Sequence, residues 1–325
     1  MIMMVTLTRI VLNKIPIRRS ALGGALLAAL VLTGCSTVPL GEPSSPAVPP
    51  VVAPPPVAAP AMRPPRLGLA LGGGAARGFA HVGVIQVLEQ AGIRPDLVVG
   101  TSAGSLVAAL YASGRSGAEL EKAALAMEEA TLTDWSLPLL GRGMLRGEAL
   151  SRYVRRAVDA RLIEQMTLPL GVLATDLATG QGVLFQRGDT GVAVRASSAV
   201  PGVFAPVPIA GREYVDGGLV APVPVRQARE MGAEVVLAVD ISTAPEGQSA
   251  DNTVGLLLQT FAIMGQTINR HELAAADVVV RPALKGVGSA DFAARQRSIE
   301  AGRTAMRAAL PALQAELARG RRASP

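Results

Sequence analysis

The sequence predicts an α/β domain whose mainly parallel sheet is covered by helices on both faces. Three observations carry that prediction. Short apolar runs alternate with helical patterns along residues 66–325, one run passes through a glycine loop into a helix, and a second passes through a serine-bearing turn into another. In order, Leu67–Leu71 reads as a strand ending in Gly72, Gly73 and Gly74, and Phe79, Val82, Ile85, Val87 and Leu88 space a helix running to Ala91. Asp96–Val99 is a second strand, and alanine-rich Ala103–Ala112 is helical, which leaves Ser102 exposed between them. Further strands are expected at Leu170–Thr175, Gly182–Phe185, Glu213–Asp216, Glu234–Val239 and Asp277–Val280, with helices at Val225–Met231 and Val254–Leu273. Sites in such sheets lie at the carboxyl ends of the strands, where the glycine loop and Ser102 both fall. No internal repeat interrupts the pattern.

Two segments fit this scheme less directly. Thr131–Glu148 carries Trp135, Leu137, Leu139, Leu140, Met144 and Leu145 among prolines and glycines, and reads either as apolar residues packed onto the core or as a flap facing lipid. Arg295–Arg322 is expected as a terminal helix with seven arginines against two glutamates, a solvated face by default and an anionic-lipid contact as the alternative.

The N-terminus reads as an address. Arg9, Lys14, Arg18 and Arg19 precede the apolar run Ala21–Leu32 and then Leu32-Thr33-Gly34-Cys35. That run is shorter than the roughly 20 apolar residues of a membrane span. Its layout resembles a bacterial lipoprotein signal over residues 1–34, with Cys35 the lipidated first residue of the mature chain. Ser36 resembles the residue that sorts lipoproteins to an outer membrane, so an envelope location facing the periplasm is expected. Cys35 is the only cysteine, so the fold must hold without an internal disulfide. Residues 35–65 follow as a linker; Val38–Pro65 contains 11 prolines in 28 residues, a composition that favours extended polyproline II over a packed core. The remaining 260 residues, 66–325, are expected as one domain.

The formal charge of +6 does not indicate nucleic acid. Four of the 31 basic residues and none of the 25 acidic ones lie in residues 1–34, leaving 27 against 25 beyond them. With 3% aromatic residues and no basic stretch interleaved with stacking groups, a nucleic-acid surface is excluded.

Chemistry concentrates in three places. In Gly100-Thr101-Ser102-Ala103-Gly104 the flanking glycines allow a sharp turn that presents the hydroxyl, and the amide of Ala103 opens a helix where negative charge is favoured. The loop Gly72-Gly73-Gly74-Ala75-Ala76-Arg77-Gly78 fails both nucleotide spellings. A dinucleotide fingerprint from Gly72 needs glycine at 77, and a P-loop from Gly73 needs lysine and then serine or threonine where Phe79 and Ala80 stand. What remains is a row of unhindered amides at Gly72, Gly73 and Gly74, chiefly the latter two, able to stabilise an oxyanion, or else a plain tight turn.

The general base is sought among few residues. His81 lies in the helix after the loop and reads as an internal hydrogen-bonding group, while His271 completes the order Ser, Asp, His of α/β-hydrolases but sits in a polar cluster. Asp216, ending a strand before Gly217 and Gly218, is the better candidate, provided partial desolvation raises its basicity. Asp176 and Asp240 also follow strands, without companion glycines. No metal or organic cofactor is expected, since the chain has neither clustered metal ligands nor a calcium loop.

Together the glycine loop, Phe79-Ala-His-Val-Gly-Val-Ile, Gly100–Gly104 and Asp216–Gly218 resemble the patatin-like phospholipase family over Arg66 to about Ala309. The resemblance implies a three-layer α/β/α fold and a Ser102–Asp216 dyad acting on acyl esters; with the signal before Cys35, membrane lipid is expected as both substrate and anchoring partner. It also implies that Arg77 and Gly78 belong to the motif that orients the oxyanion loop or a substrate phosphate, and that Ser197-Ser198-Ala199-Val200-Pro201-Gly202-Val203-Phe204 lies near the site. The alternatives are an esterase with a Ser-Asp-His triad through His271, or a non-catalytic envelope lipoprotein that binds lipid or protein.

Overall fold

The computed structural model describes residues 62–128, 134, 143–242, 252–320 and 322–323. The signal at 1–34, Cys35, nearly all of the linker, and Trp135, Leu137, Leu139 and Leu140 lie outside them.

A short strand β1 (Met62–Arg63) precedes β2 (Leu67–Leu71), α1 (Phe79–Gln90), β3 (Leu97–Thr101), α2 (Ala103–Ala112) and α3 (Gly117–Ala126). Next come β4 (Gly143–Leu145), α4 (Glu148–Ala157), β5 (Leu170–Asp176), β6 (Gly182–Phe185), α5 (Thr190–Ser197), β7 (Gly202–Phe204), β8 (Val207–Ile209) and β9 (Arg212–Asp216). The chain continues through α6 (Val225–Glu230), β10 (Val235–Val239), α7 (Thr253–Leu273), β11 (Val278–Val280), α8 (Arg295–Arg319) and β12 (Arg322–Ala323).

The main sheet has the order β11-β10-β2-β3-β5-β9-β8, with β6 also on β5. Its first five strands are parallel; β6, β9 and β8 add antiparallel pairs at the other side. Every residue of β2, β3, β5 and β10 is buried, as strands covered on both faces must be. Alternation along β2 divides the core: Leu67, Leu69 and Leu71 pack with α1, α2 and α8, whereas Ala70 packs with Val225 and Ala228 of α6 on the opposite face. The α1–α8 contact is made backbone to backbone. A Cβ on Gly83 would lie 2.0 Å from the Ile299 carbonyl oxygen, and one on Gly302 2.0 Å from that of Ala80.

Several expected boundaries move for identifiable reasons. Asp96 is not part of its strand; its carboxylate accepts the Leu67 amide at 2.6 Å, and pairing instead extends the strand to Thr101 opposite Leu173. The terminal helix stops at Arg319, because Arg322–Ala323 pairs antiparallel with Met62–Arg63. That pairing, with Arg63 bonded through two nitrogens to Glu234 at 2.7 and 3.0 Å, places the domain's first strand inside the expected linker. The arginines of α8 are also less free than a solvated face requires. Arg303 reaches Glu121 and Gln86, and Arg295 donates to the carbonyls of Leu125 and Met127. In the Thr131–Glu148 segment, β4 pairs parallel with β7 and Leu145 is buried, so its described part packs inward. Among the described residues no helix is long and apolar enough to cross a membrane.

Candidate active site

Parallel strands β2 and β3 lie side by side, so the two turns that leave their carboxyl ends meet. Ser102 alone joins β3 to α2, and its backbone takes φ 52°, ψ −123°, a conformation that a side chain other than glycine's rarely adopts. The neighbours hold it there. Its amide donates to Ser197 Oγ at 2.9 Å, and its carbonyl accepts the Ser105 amide at 2.8 Å and the Ser105 hydroxyl at 2.6 Å. Gly100 and Gly104 are required by packing: a Cβ on Gly104 would lie 2.1 Å from the Leu71 carbonyl oxygen, and one on Gly100 2.5 Å from the carbonyl carbon of Gly104.

Asp216 reaches the same place from the end of β9. Its amide donates to the Ala199 carbonyl at 3.0 Å, its own carbonyl accepts Thr175 Oγ1–H at 2.8 Å, and Oδ1 accepts the Gly218 amide at 2.7 Å. Gly217 lets this turn close on β5, since a Cβ there would be 2.3 Å from the Leu173 oxygen. Oδ2 is buried without a well-formed hydrogen bond, and the Ser102 hydroxyl beside the carboxyl favours its charged form. Burial outweighs that effect and the Gly218 amide, so the carboxyl titrates at about 6 rather than in the usual carboxylate range. A buried acceptor of raised basicity beside a serine hydroxyl is suited to general-base work near neutral pH.

The competing bases fall away. Asp176 is tied to the amides of Ala178 and Thr179, the Thr179 hydroxyl and Arg212, and its titration is lowered, first by the Thr179 amide. Asp240 binds Ser242 and Arg281. His81 is fully buried, and its Nε2–H donates to the Gly72 carbonyl at 2.8 Å, which fixes the tautomer because a carbonyl only accepts. Burial drives its titration down to about 4, so it is neutral and props the glycine loop. His271 is exposed near the end of α7 and lines neither cavity that contains Ser102, so the triad considered above is not assembled.

The glycine loop corrects one expectation. The amides of Gly72 and Gly73 donate to the carbonyls of Val239 and Pro222 at 3.0 and 2.9 Å, so neither is available to an oxyanion. Pairing of β2 with β10 and the turn after Asp216 consume them. The amides of Gly74, Ala75 and Ala103 have no hydrogen-bond partner among the described residues, and all three residues line a cavity with Ser102. Ala75 holds φ 51°, a second strained position that turns the loop toward α1. Gly78 permits close contact with α2, where a Cβ would meet that of Ala103 at 2.9 Å. Arg77 is 7% exposed, with Nε unpartnered; burial lowers its titration to about 10, with Asp240 opposing, so it stays cationic at neutral pH.

Two cavities meet at Ser102. The larger, about 430 Å³, is walled by apolar residues of α1, α2 and α3 together with Met144, Leu145, Val203 and Phe204. The smaller, about 200 Å³, holds Arg77, Asp216, Ser242 and Gln266. Sequence reasoning placed Ser197 near the site without a role and passed over three further hydroxyls, Thr101, Thr175 and Ser105. Thr101 Oγ1 donates to the Ala221 carbonyl at 3.0 Å, so each of the four is a buried hydroxyl that pins one of the two turns. Their signal was weak: only Ser105 stands as a lone hydroxyl in an apolar helix, while Thr101, Thr175 and Ser197 each adjoin another polar residue.

Residues 69–229, which contain both turns and Asp216, match the model of the patatin-like phospholipase family. An uncharacterised NTE family protein of Mycobacterium tuberculosis is 38% identical over 188 residues, 58% of this chain and 52% of that protein. A second from the same species is 31% identical over 276 residues, 76% and 46% respectively. Mouse patatin-like phospholipase domain-containing protein 6 is 35% identical over 187 residues, 55% of this chain but 14% of that protein. The chain thus spans about half the length of the bacterial relatives it matches. The crystal structure of VipD from Legionella pneumophila is similar in fold, with TM-score 0.53 and 15% identity, covering 77% of this chain and 67% of that one. The chain is thus similar to the patatin-like phospholipase family over the segment that carries the site, and the likeness to VipD agrees with a three-layer α/β/α fold with a mainly parallel sheet.

Proposed function

We propose that the chain is a lipid acyl hydrolase in which Ser102 is the nucleophile and Asp216 its general base. Ser102 Oγ attacks the acyl carbonyl while Asp216 takes the hydroxyl proton. The oxyanion forms against the amides of Gly74, Ala75 and Ala103, at the start of α2 where the helix favours negative charge. Collapse breaks the carbon–oxygen bond to the alcohol, which receives the proton from Asp216 and leaves an acyl-enzyme. Water, deprotonated by Asp216, then attacks the acyl carbonyl, and Ser102 is released with the proton. The larger cavity suits the acyl chain, and the smaller one, with Arg77, suits the polar remainder.

One observation carries this reading: a serine on a strained turn beside a buried carboxyl titrating at about 6, where a large apolar cavity joins a smaller one that admits Arg77 among mainly apolar walls. The family match supports the substrate class. The signal before Cys35 supports an envelope lipoprotein facing the periplasm, tested by whether Cys35→Ser abolishes radiolabelled palmitate incorporation. The activity is tested by incubating the protein with a mixed phospholipid extract and identifying products by mass spectrometry. Fatty acid release that disappears in Ser102→Ala and persists within about twofold in His271→Ala is expected. Equal release by Ser102→Ala, or loss only in His271→Ala, overturns the dyad.

A further inference from the structure

Helix α7 has two unlike faces and no charged one over most of its length. From Asn252 to Asn269 it carries no charged side chain, and none of its described residues before Asn269 is buried. At 100° per residue, Leu258, Phe261, Ala262 and Gly265 share one face, and these line the cavities at Ser102. Leu256, Thr260, Ile263, Met264 and Thr267 share the opposite face, and all five are exposed. Leu256 is 59% exposed, Ile263 52% and Met264 50%; among the described residues these are three of the five large hydrophobic side chains that are exposed. A surface helix of a globular domain normally turns a charged or polar face outward. α8 does so with arginines and glutamates, and α7 does not.

We propose that the outer face of α7 is the surface by which this domain seats on a lipid bilayer, bringing the mouth of the site to the membrane. The proposal rests on the lipid hydrolase reading above, because the occupant follows from what the inner face of the same helix must admit. A water-insoluble ester reaching Ser102 has to leave a lipid phase next to these cavities, and α7 is their outer wall. Size argues against a protein partner. Three side chains about half exposed offer on the order of 300 Å², below the roughly 800 Å² per partner of a stable protein interface. The geometry also argues for lying on the membrane rather than crossing it, since α7 is not apolar enough to span one and its last turn is buried through Asn269, Glu272 and Leu273.

The test uses the full chain with Cys35→Ser and one new cysteine, Met264→Cys, carrying an environment-sensitive fluorophore. A second protein carries the label at Arg297→Cys on exposed α8 as a control. Each is mixed with phosphatidylcholine–phosphatidylglycerol vesicles containing quencher-labelled acyl chains. Quenching and a blue shift at position 264, with neither at 297, are expected. A fluorophore at 264 that remains in water while the protein is bound to the vesicles overturns the assignment, as does equal quenching at both positions.

A kinetic arm separates this proposal from the functional reading beneath it. The triple variant Leu256→Gln, Ile263→Gln, Met264→Gln alters no cavity-lining residue, so it should hydrolyse a water-soluble short-chain ester within about twofold of wild type. On vesicle lipid its kcat/KM should fall at least tenfold. Equal loss on both substrates, or none on vesicles, counts against the docking face. Failure of the unaltered protein on the soluble ester counts against the hydrolase reading instead, and leaves the fluorescence result to decide membrane seating.

Discussion

Between β2 and α1 the chain takes seven residues, Gly72–Gly78, whereas between the adjacent β3 and α2 it takes one, Ser102. The long turn is supported from below: a neutral histidine bonds its first carbonyl, two of its amides are drawn into the sheet and the turn after Asp216, and a buried arginine lies under it. The amides left over at Gly74 and Ala75 have no partner among the described residues, and both residues line the cavities. The short turn has no such length to adjust. It stores its geometry in one residue at φ 52°, held by Ser197 on one side and Ser105 on the other, and by two glycines that let backbone touch backbone. The difference teaches where each turn should be sensitive: the long one to its buried support, the short one to any added atom and to its hydroxyl.

The largest effect is expected from the chemistry of the short turn. Ser102→Ala and Asp216→Asn should each lower kcat/KM for an ester by on the order of 10⁴-fold or more, and the double variant should be little worse than either, because members of one catalytic unit are not additive. Steady-state kinetics of the three proteins measure this, and losses that multiply would mean the two groups act separately.

A smaller effect, on stability, comes from crowding the short turn. Gly104→Ala would put a methyl 2.1 Å from the Leu71 oxygen and should destabilise by about 3 kcal/mol. Gly78→Ala in the long turn meets the Ala103 Cβ at 2.9 Å, a milder clash relieved only by a small shift of the α2 backbone, and should cost less, about 1–2 kcal/mol. Denaturant unfolding of both variants ranks the turns, and the reverse order breaks the comparison.

The last test probes the support of the long turn through pH. His81 titrates at about 4 in the fold against 6.5 ordinarily, so between those values the unfolded chain binds the extra proton. The stability conferred by the neutral buried ring is therefore complete above pH 6.5 and is lost as pH falls toward 4. Asp216 acts in the opposite sense over an overlapping range: its carboxyl is raised to about 6, so its contribution is complete below 3.8 and is lost as pH rises through 6. His81→Leu should cost about 1–3 kcal/mol at pH 7, by leaving the Gly72 carbonyl unpaired. It should also flatten the loss of stability on going from pH 6.5 to 4.5. An unchanged slope would show that His81 does not govern it.

Much of this was legible in the sequence because the signals were local. The strand runs, both turns and the Ser102 and Asp216 placements depend on residues within a few positions of one another, and the scarcity of histidine already turned attention from a triad to a carboxylate. Less local features were not legible. That Gly72 and Gly73 have no free amide depends on β10 and on Pro222, far along the chain. The antiparallel attachment of β9 to β5, which delivers Asp216 to Ser102, is a tertiary choice that an apolar run cannot encode. The pins at Ser197 and Thr175 are single hydroxyls whose partners become visible only when the turns are folded against them.

The most direct test of the dyad is covalent. A fluorophosphonate probe applied to the folded protein, followed by peptide mapping, should place one adduct on Ser102 in wild type and none in Ser102→Ala. In Asp216→Asn the adduct should form at least 100-fold more slowly. Labelling of another residue, or labelling of Ser102 at the wild-type rate in Asp216→Asn, would contradict the assignment of Ser102 as nucleophile and Asp216 as its base.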